Sequence, residues 1–196
     1  MMKDGGVMIE SITQIDFSIL DFIQENLKCD FLDWLMVLLS RLGEGGILWF
    51  AIAIPMLFFK KSRTCGVVMI LSMGVTLLLG EFLFKNLVGR VRPCNINTDI
   101  EMLVKRPSSY SFPSGHTSAS FASATTVFQW NKKVGVLALV LAVLVAFSRL
   151  YNYVHFPTDV LAGALFGIFA SIFVYYFFRK YKFDNKLENL RFSRKG

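Results

Sequence analysis

The feature that most constrains this chain is a series of long apolar runs cut by short polar connections. A membrane-crossing helix needs about 20 mostly apolar residues. Residues 45–59, 64–84, 114–130, 134–147 and 160–178 meet that requirement or come close to it, and 134–147 continues apolar to about Tyr153. A sixth stretch, 31–42, is shorter and carries Asp33 and Arg41; it spans if tilted or extended back toward Cys29. Helix is the expected form, because in lipid each backbone N–H and C=O must be satisfied within its own segment. The expectation is an all-α, polytopic membrane helix bundle of about six transmembrane helices. Ahead of it, Ile12, Ile15, Phe17, Ile19, Leu20, Phe22 and Ile23 recur close to helical spacing, the pattern of an amphipathic helix lying on a surface. The expected organisation is an interfacial segment over 1–30, a transmembrane domain over 31–178 and a basic tail over 179–196.

Composition agrees with this and excludes other classes. The chain is 54% hydrophobic and only 18% charged, with 20 Phe, which rules out a disordered tail or a disulfide-stapled module. Its net charge of +7 fits nucleic acid or an anionic membrane surface, and the apolar runs decide for the membrane. No nucleic-acid partner is expected. Cys29, Cys65 and Cys94 show no CxxC or metal-ligand spacing and read as free thiols. The first thirty residues are polar and net acidic, without the basic-then-apolar order of a secretory signal.

The basic residues orient the bundle. Lys60, Lys61 and Arg63 share one connection, Lys132 and Lys133 another, and Arg179, Lys180, Lys182, Lys186, Arg191, Arg194 and Lys195 lie in the tail. These belong to alternate ends of successive spans, so all fall on one side, which is expected to be cytoplasmic along with the carboxyl terminus. The opposite side receives residues 89–112, the connection 153–157 and a tight turn at Gly43-Glu44-Gly45-Gly46. Six crossings place the amino terminus in the cytoplasm and five place it outside; both stay open here.

Ionisable groups at a membrane edge are costly and point to function. Lys85, Arg90 and Arg92 follow the run 64–84, Ser114 and His116 open 114–130, Arg149 closes the run that begins at 134, His155 follows it and Asp159 opens 160–178. All fall at the non-cytoplasmic edge, and the set contains both histidines of the chain. Arginine forks match phosphate oxygens and lysine adds a point charge, so Lys85, Arg92 and Arg149 suit a tetrahedral dianion. Taken singly, each also reads as an anchor or an ion pair, for instance Lys85 with Glu81 one turn back. Pro113-Ser114-Gly115-His116 reads as a loop entering a helix whose first N–H groups, at Ser114 and Gly115, can meet an anion, with His116 in reach of the same ligand; it also reads as a plain helix cap. His155 and Asp159 stand four apart, so Asp159 can orient one ring nitrogen and leave the other free as a nucleophile, or simply favour a helix start. No cluster of Asp and Glu suits Mg²⁺ or Ca²⁺, no HExxH suits zinc and no glycine-rich nucleotide loop occurs. No cofactor and no metal are expected.

Taken in order, Lys85-(six residues)-Arg92-Pro93, Pro113-Ser114-Gly115-His116 and Ser148-Arg149-(five residues)-His155-(three residues)-Asp159 resemble the three-part signature of the type 2 phosphatidic acid phosphatase superfamily, at all eleven positions. That group includes membrane lipid phosphatases and vanadium-dependent haloperoxidases; the latter are soluble and larger, which disfavours their activity here. The resemblance implies a metal-independent phosphatase. His155 would attack phosphorus and form a phosphohistidine, Asp159 would orient His155, and His116 would protonate the leaving oxygen. Lys85, Arg92, Ser114, Gly115 and Arg149 would hold the phosphate.

The expected partners are the bilayer and a membrane lipid phosphate, met at headgroup depth on the extracytoplasmic side of a bacterial cell membrane. Small members of the family include undecaprenyl diphosphate phosphatases, the first choice on compact size and topology. Phosphatidylglycerophosphate or phosphatidate is the alternative, and a lipid transporter or binding subunit is the non-enzyme alternative. Tyr151, Tyr153 and Phe156 read as entry-lining or interface aromatics, and residues 94–112 as a cover for the site. Oligomeric state is not legible.

Overall fold

The computed structural model describes residues 3–183. All regular structure among them is helical, as the apolar runs require. The elements are α1 (Lys3–Asn26), α2 (Asp30–Leu42), α3 (Ile47–Met56), α4 (Arg63–Leu77), α5 (Lys85–Val88), α6 (Pro93–Ile96), α7 (Gly115–Trp130), α8 (Lys132–Tyr151) and α9 (Pro157–Lys180). A π-helical segment, Leu78–Phe84, joins α4 to α5. The basic tail is described only to residue 183; Lys186, Arg191, Arg194 and Lys195 lie outside the described residues.

The break at Gly43–Gly46 is not the chain reversal that the sequence suggests. Gly45 and Gly46 do take left-handed φ values of 57° and 75°, which glycine adopts without a Cβ clash. The side-chain partners on either side nevertheless run in one direction. Asp33 accepts from the Tyr151 hydroxyl at 2.5 Å, Asn152 donates to the Met36 carbonyl at 3.3 Å, and Arg149 donates to Ser40. Gly43 then lies against Val145 and His116. Rising numbers in α2 thus descend α8. Past the break, Trp49 donates to Ser120 at 2.8 Å and the Ala53 carbonyl faces Gly66, so α3 continues the descent along α7 and α4. The two short runs 31–42 and 45–59 therefore form one broken crossing, Asp30–Met56.

Four stretches, Asp30–Met56, Arg63–Ile96, Lys132–Tyr151 and Pro157–Lys180, are long and apolar enough to cross a membrane. The 16-residue α7 is shorter, about 24 Å at helical rise, but it packs among α4, α8 and α9 and makes the fifth crossing. Small residues allow that central position. Ser118, Ser120, Ala122, Ser123 and Ala124 are buried on α7. A Cβ at Gly167 of α9 would lie 2.3 Å from the Ser118 carbonyl oxygen, and one at Gly163 would lie 2.8 Å from that of Ser114. No methyl group fits between these helices, which is how membrane helices achieve close packing. The outward faces stay apolar, with Leu137, Val140, Leu161, Phe169 and Phe173 exposed to where lipid would be.

Five crossings put α1 at the same end of the bundle as the start of α7 and the start of α9. The amphipathic helix expected there exists, and its inner face is docked rather than merely resting on a surface. Leu20 and Ile23 are buried, the Asp21 carboxylate accepts from the Tyr153 hydroxyl at 2.8 Å, and Gln24 donates to the Tyr151 carbonyl at 2.8 Å. Ile15 and Phe22 remain exposed on its other face. Lys60, Lys61, Lys132, Lys133, Arg179 and Lys180 gather at the opposite end, where Trp130 donates to the Lys61 carbonyl at 3.0 Å.

This path makes a topological prediction. In a chain retaining Cys29 alone, with Cys65→Ser and Cys94→Ser, an impermeant maleimide labels Cys29 in the same orientation of sealed vesicle that exposes Asp99→Cys. It labels Lys132→Cys only in the opposite orientation. Labelling of Cys29 together with Lys132→Cys would restore the six-crossing path.

Candidate active site

The expected residues converge because four helix ends meet at one level. The π-helical segment advances the register between α4 and α5, so that Glu81 and Lys85 both face inward; such segments often mark functional sites. Pro93 at the first position of α6 fixes the chain just after Arg92. Arg149 stands in the last turn of α8 and Asp159 in the first turn of α9, where Pro157 begins the helix. Between them, residues 152–156 turn sharply and Tyr153 adopts a φ of 56°, uncommon for a residue with a Cβ.

These ends enclose a cavity of about 580 Å³ whose lining includes Lys85, Arg92, Gly115, His116, Arg149 and His155. Residues Leu103–Ser109 form another wall, so the loop between α6 and α7 covers the site as expected. Lys85 serves both of the readings that the sequence left open. It lines the cavity and its Nζ also pairs with Glu81 at 2.7 Å. Arg92 is buried and extensively held: Nε donates to the Ser109 carbonyl at 2.7 Å, Nη1 to the Val154 carbonyl at 2.8 Å and Nη2 to the Tyr110 carbonyl at 3.1 Å. Arg149 is also buried; it donates to Ser40, while its Nε has no partner. Three cations in a shared cavity repel one another, and a bound anion relieves that repulsion.

His155 sits between this cluster and Asp159. Its Nε2 is 3.0 Å from Arg92 Nη1. A guanidinium only donates, so Nε2 presents a lone pair and the ring proton resides on Nδ1. Nδ1 lies 3.6 Å from Asp159 Oδ2 and 3.5 Å from the Ser111 hydroxyl. Burial, above all, pulls the His155 pKa down to about 3; the neighbouring Asp159 carboxylate opposes this, and Arg92 and Arg149 reinforce it. The ring is therefore neutral at physiological pH, the form a nucleophile needs.

Asp159 is fully buried and fully engaged. Oδ1 accepts from Arg90 at 2.7 Å; Oδ2 accepts from the Phe156 N–H at 2.9 Å and from the Ser111 hydroxyl. His116 opens α7 on the cavity wall. Ser114 departs from its expected place. It caps α7 but is buried behind the wall, its N–H donating to the Asp159 carbonyl at 3.1 Å and its hydroxyl accepting from Thr117 at 2.9 Å. The N–H thus joins the start of α7 to α9, while the hydroxyl accepts from within α7; Gly115 lines the cavity and Ser114 lies just behind it. Tyr151, Tyr153 and Phe156 also differ from expectation. All three are buried and line neither an entry nor an interface; Phe156 lies under the Arg90 guanidinium, 4.0 Å from its ring centroid.

Sequence reasoning missed Asp16, Ser40, Ser109 and Ser111 as parts of the site. Serines in a loop carry no periodic signal, and Ser40 and Asp16 come from helices far away in the chain. Arg90 was visible as an edge cation, but its partners Asp16 and Asp159 were not. Among the described residues, no group of three or more His, Cys, Asp or Glu is placed to hold a metal ion.

Comparison with known proteins gives the family and the fold. Residues 65–183 match the model of the PAP2 superfamily. An undecaprenyl-diphosphatase of Sulfolobus acidocaldarius is 36% identical over 141 residues, covering 71% of this chain and 68% of that protein. The crystal structure of a transmembrane PAP2-type phosphatidylglycerolphosphate phosphatase from Bacillus subtilis superposes with a TM-score of 0.69 and 30% identity, covering 92% of this chain and 90% of that one. The crystal structure of Aquifex aeolicus LpxE gives a TM-score of 0.73 at 27% identity, over 82% of this chain and 94% of that one. With its helical membrane bundle, its cluster of cations lining one cavity and these relatives, the chain belongs to the PAP2 superfamily and is a membrane lipid phosphatase.

Proposed function

We propose that this enzyme removes the terminal phosphate of undecaprenyl diphosphate on the extracytoplasmic side of the membrane, through a phosphohistidine on His155. The observation that carries the chemistry is the Nε2 lone pair of a neutral His155 held beside Arg92, with Nδ1 turned toward Asp159. The terminal phosphate enters among Lys85, Arg92 and Arg149 and takes over the Arg92 donor now facing Nε2. The first N–H groups of α7, at Gly115, complete the cradle, and Ser114 fixes where that helix begins.

Nε2 then forms a bond to phosphorus as the bond to the lipid-side oxygen breaks. His116 gives that oxygen its proton. The ring becomes cationic, and the Nδ1 proton, directed at Asp159, shares the charge. A water molecule next attacks phosphorus, His116 takes its proton, the P–N bond breaks and inorganic phosphate leaves. The cations supply the charge neutralisation, so the proposed reaction needs no metal ion.

The facing of the site rests on the basic residues at the opposite end, since such residues favour the cytoplasm. The choice of lipid rests on the name of the Sulfolobus relative. Phosphatidylglycerophosphate is the second reading, favoured by the Bacillus structure that aligns along 92% of this chain.

Two measurements test this reading. Phosphate release by the detergent-solubilised enzyme, with EDTA present, is expected to be faster on undecaprenyl diphosphate than on phosphatidylglycerophosphate. The reverse order would assign the second substrate, and loss of turnover in EDTA would contradict a metal-independent route. The second measurement is ¹⁵N-histidine NMR. With only two histidines in the chain, the His116→Asn variant isolates His155. Because burial lowers its pKa to about 3, its ring is expected to stay neutral at pH 5.5, where an ordinary histidine is mostly protonated. A midpoint near 6.5 would contradict the buried nucleophile.

A further inference from the structure

Asp16 lies in α1, far from the signature positions and outside residues 65–183 that carry the family match. It is nevertheless buried and fully committed at the foot of the active site. Its Oδ2 pairs with Arg90 Nη2 at 2.7 Å and accepts from the Thr158 hydroxyl at 2.5 Å; its Oδ1 accepts from the Thr158 N–H at 3.0 Å. The other end of the same guanidinium, Nη1, reaches Asp159 Oδ1 at 2.7 Å and the Thr158 hydroxyl at 2.7 Å. Arg90 is thus a bridge between two buried carboxylates, one from α1 and one beside His155.

We propose that Asp16 is a positioning residue for phosphoryl transfer: through Arg90 it fixes Asp159, and through Asp159 the orientation of His155, so that α1 is part of the active centre. The inference rests on the reading of His155 and Asp159 above. Its physical basis is that a guanidinium paired at both ends cannot swing. With Asp16 in place, Arg90 is pinned over the Phe156 ring, and Phe17 of α1 packs edge-on against that ring with centroids 5.1 Å apart. Asp159 can then give Oδ1 to Arg90 and keep Oδ2 for Ser111, the Phe156 N–H and His155. Without the Asp16 charge, Arg90 has one carboxylate instead of two. It is then free to shift its fork onto Asp159 and draw Oδ2 away from His155. Misplacement of a reacting group by about 1 Å costs on the order of 100-fold in rate. The cost should fall on kcat, because Asp16 lines no part of the phosphate cavity.

The experiment is a double-mutant cycle on the full-length enzyme in detergent, using undecaprenyl diphosphate and phosphatidylglycerophosphate. Asp16→Asn keeps the shape and removes the charge. It is expected to lower kcat by about 10- to 100-fold, leave KM within about twofold and leave the melting temperature close to that of the parent. In an Asp159→Asn background, Asp16→Asn is expected to lower the remaining rate less than about twofold, since coupled residues are not additive. If Asp16→Asn proves unstable, Asp16→Glu replaces it, with the same split between kcat and KM expected. An unchanged kcat in Asp16→Asn, a loss confined to KM, or a full multiplicative loss in the double variant would overturn the inference. A fully active Asp159→Asn enzyme would instead overturn the underlying assignment of Asp159, which separates the two failures.

Discussion

Asp159 is the point on which the site depends. A carboxylate removed from water is strongly unfavourable unless charge and hydrogen bonds surround it. Here the compensating groups come from three segments: Arg90 after α5, Ser111 from the covering loop, and His155 with the Phe156 N–H from the connection that enters α9. Its own carbonyl holds the Ser114 N–H and so the start of α7. Satisfying this one buried charge assembles four helix ends at the same depth. The same satisfaction leaves the cavity side of His155 as a lone pair facing cations.

The cation cluster is the counterpart of that arrangement. Lys85, Arg92 and Arg149 are buried against apolar helices, where their mutual repulsion is poorly screened. Backbone carbonyls and the Ser109 hydroxyl position Arg92 without neutralising it, and among the described residues Glu81 is the carboxylate paired with Lys85. The cavity is therefore an electrostatic mould for an anion with several oxygens, and it favours most the state with most negative charge on the phosphoryl oxygens that face the cations. That is the property expected of a site built to stabilise a phosphoryl-transfer transition state.

Much of this was legible in the sequence, for identifiable reasons. Apolar length gave the crossings after residue 63, and rare polar residues in apolar surroundings gave Lys85, Arg92, His116, Arg149, His155 and Asp159, because lipid makes such residues costly unless used. The path before residue 63 was misread at Gly43–Gly46, because two glycines in left-handed conformation serve equally for a reversal and for a break within one crossing. Only the partners of Asp33, Ser40 and Trp49 distinguish the two. Ser114 was expected at the phosphate because caps often bind anions; that its N–H is held by the Asp159 carbonyl and its hydroxyl accepts from Thr117 has no signal in the sequence. The contribution of α1 was hidden because amphipathic spacing marks a buried face without saying what covers it. The answer is the segment that carries His155.

The central claim is that His155 becomes the covalent carrier of phosphate. Rapid acid-free quenching of the enzyme during turnover of a lipid labelled with ³²P in its terminal phosphate, followed by peptide mapping, tests it directly. The account predicts a label on the peptide containing His155, stable in alkali and lost in acid as a P–N bond is, and absent from His155→Ala. A label on another residue, or undiminished turnover by His155→Ala, would contradict it.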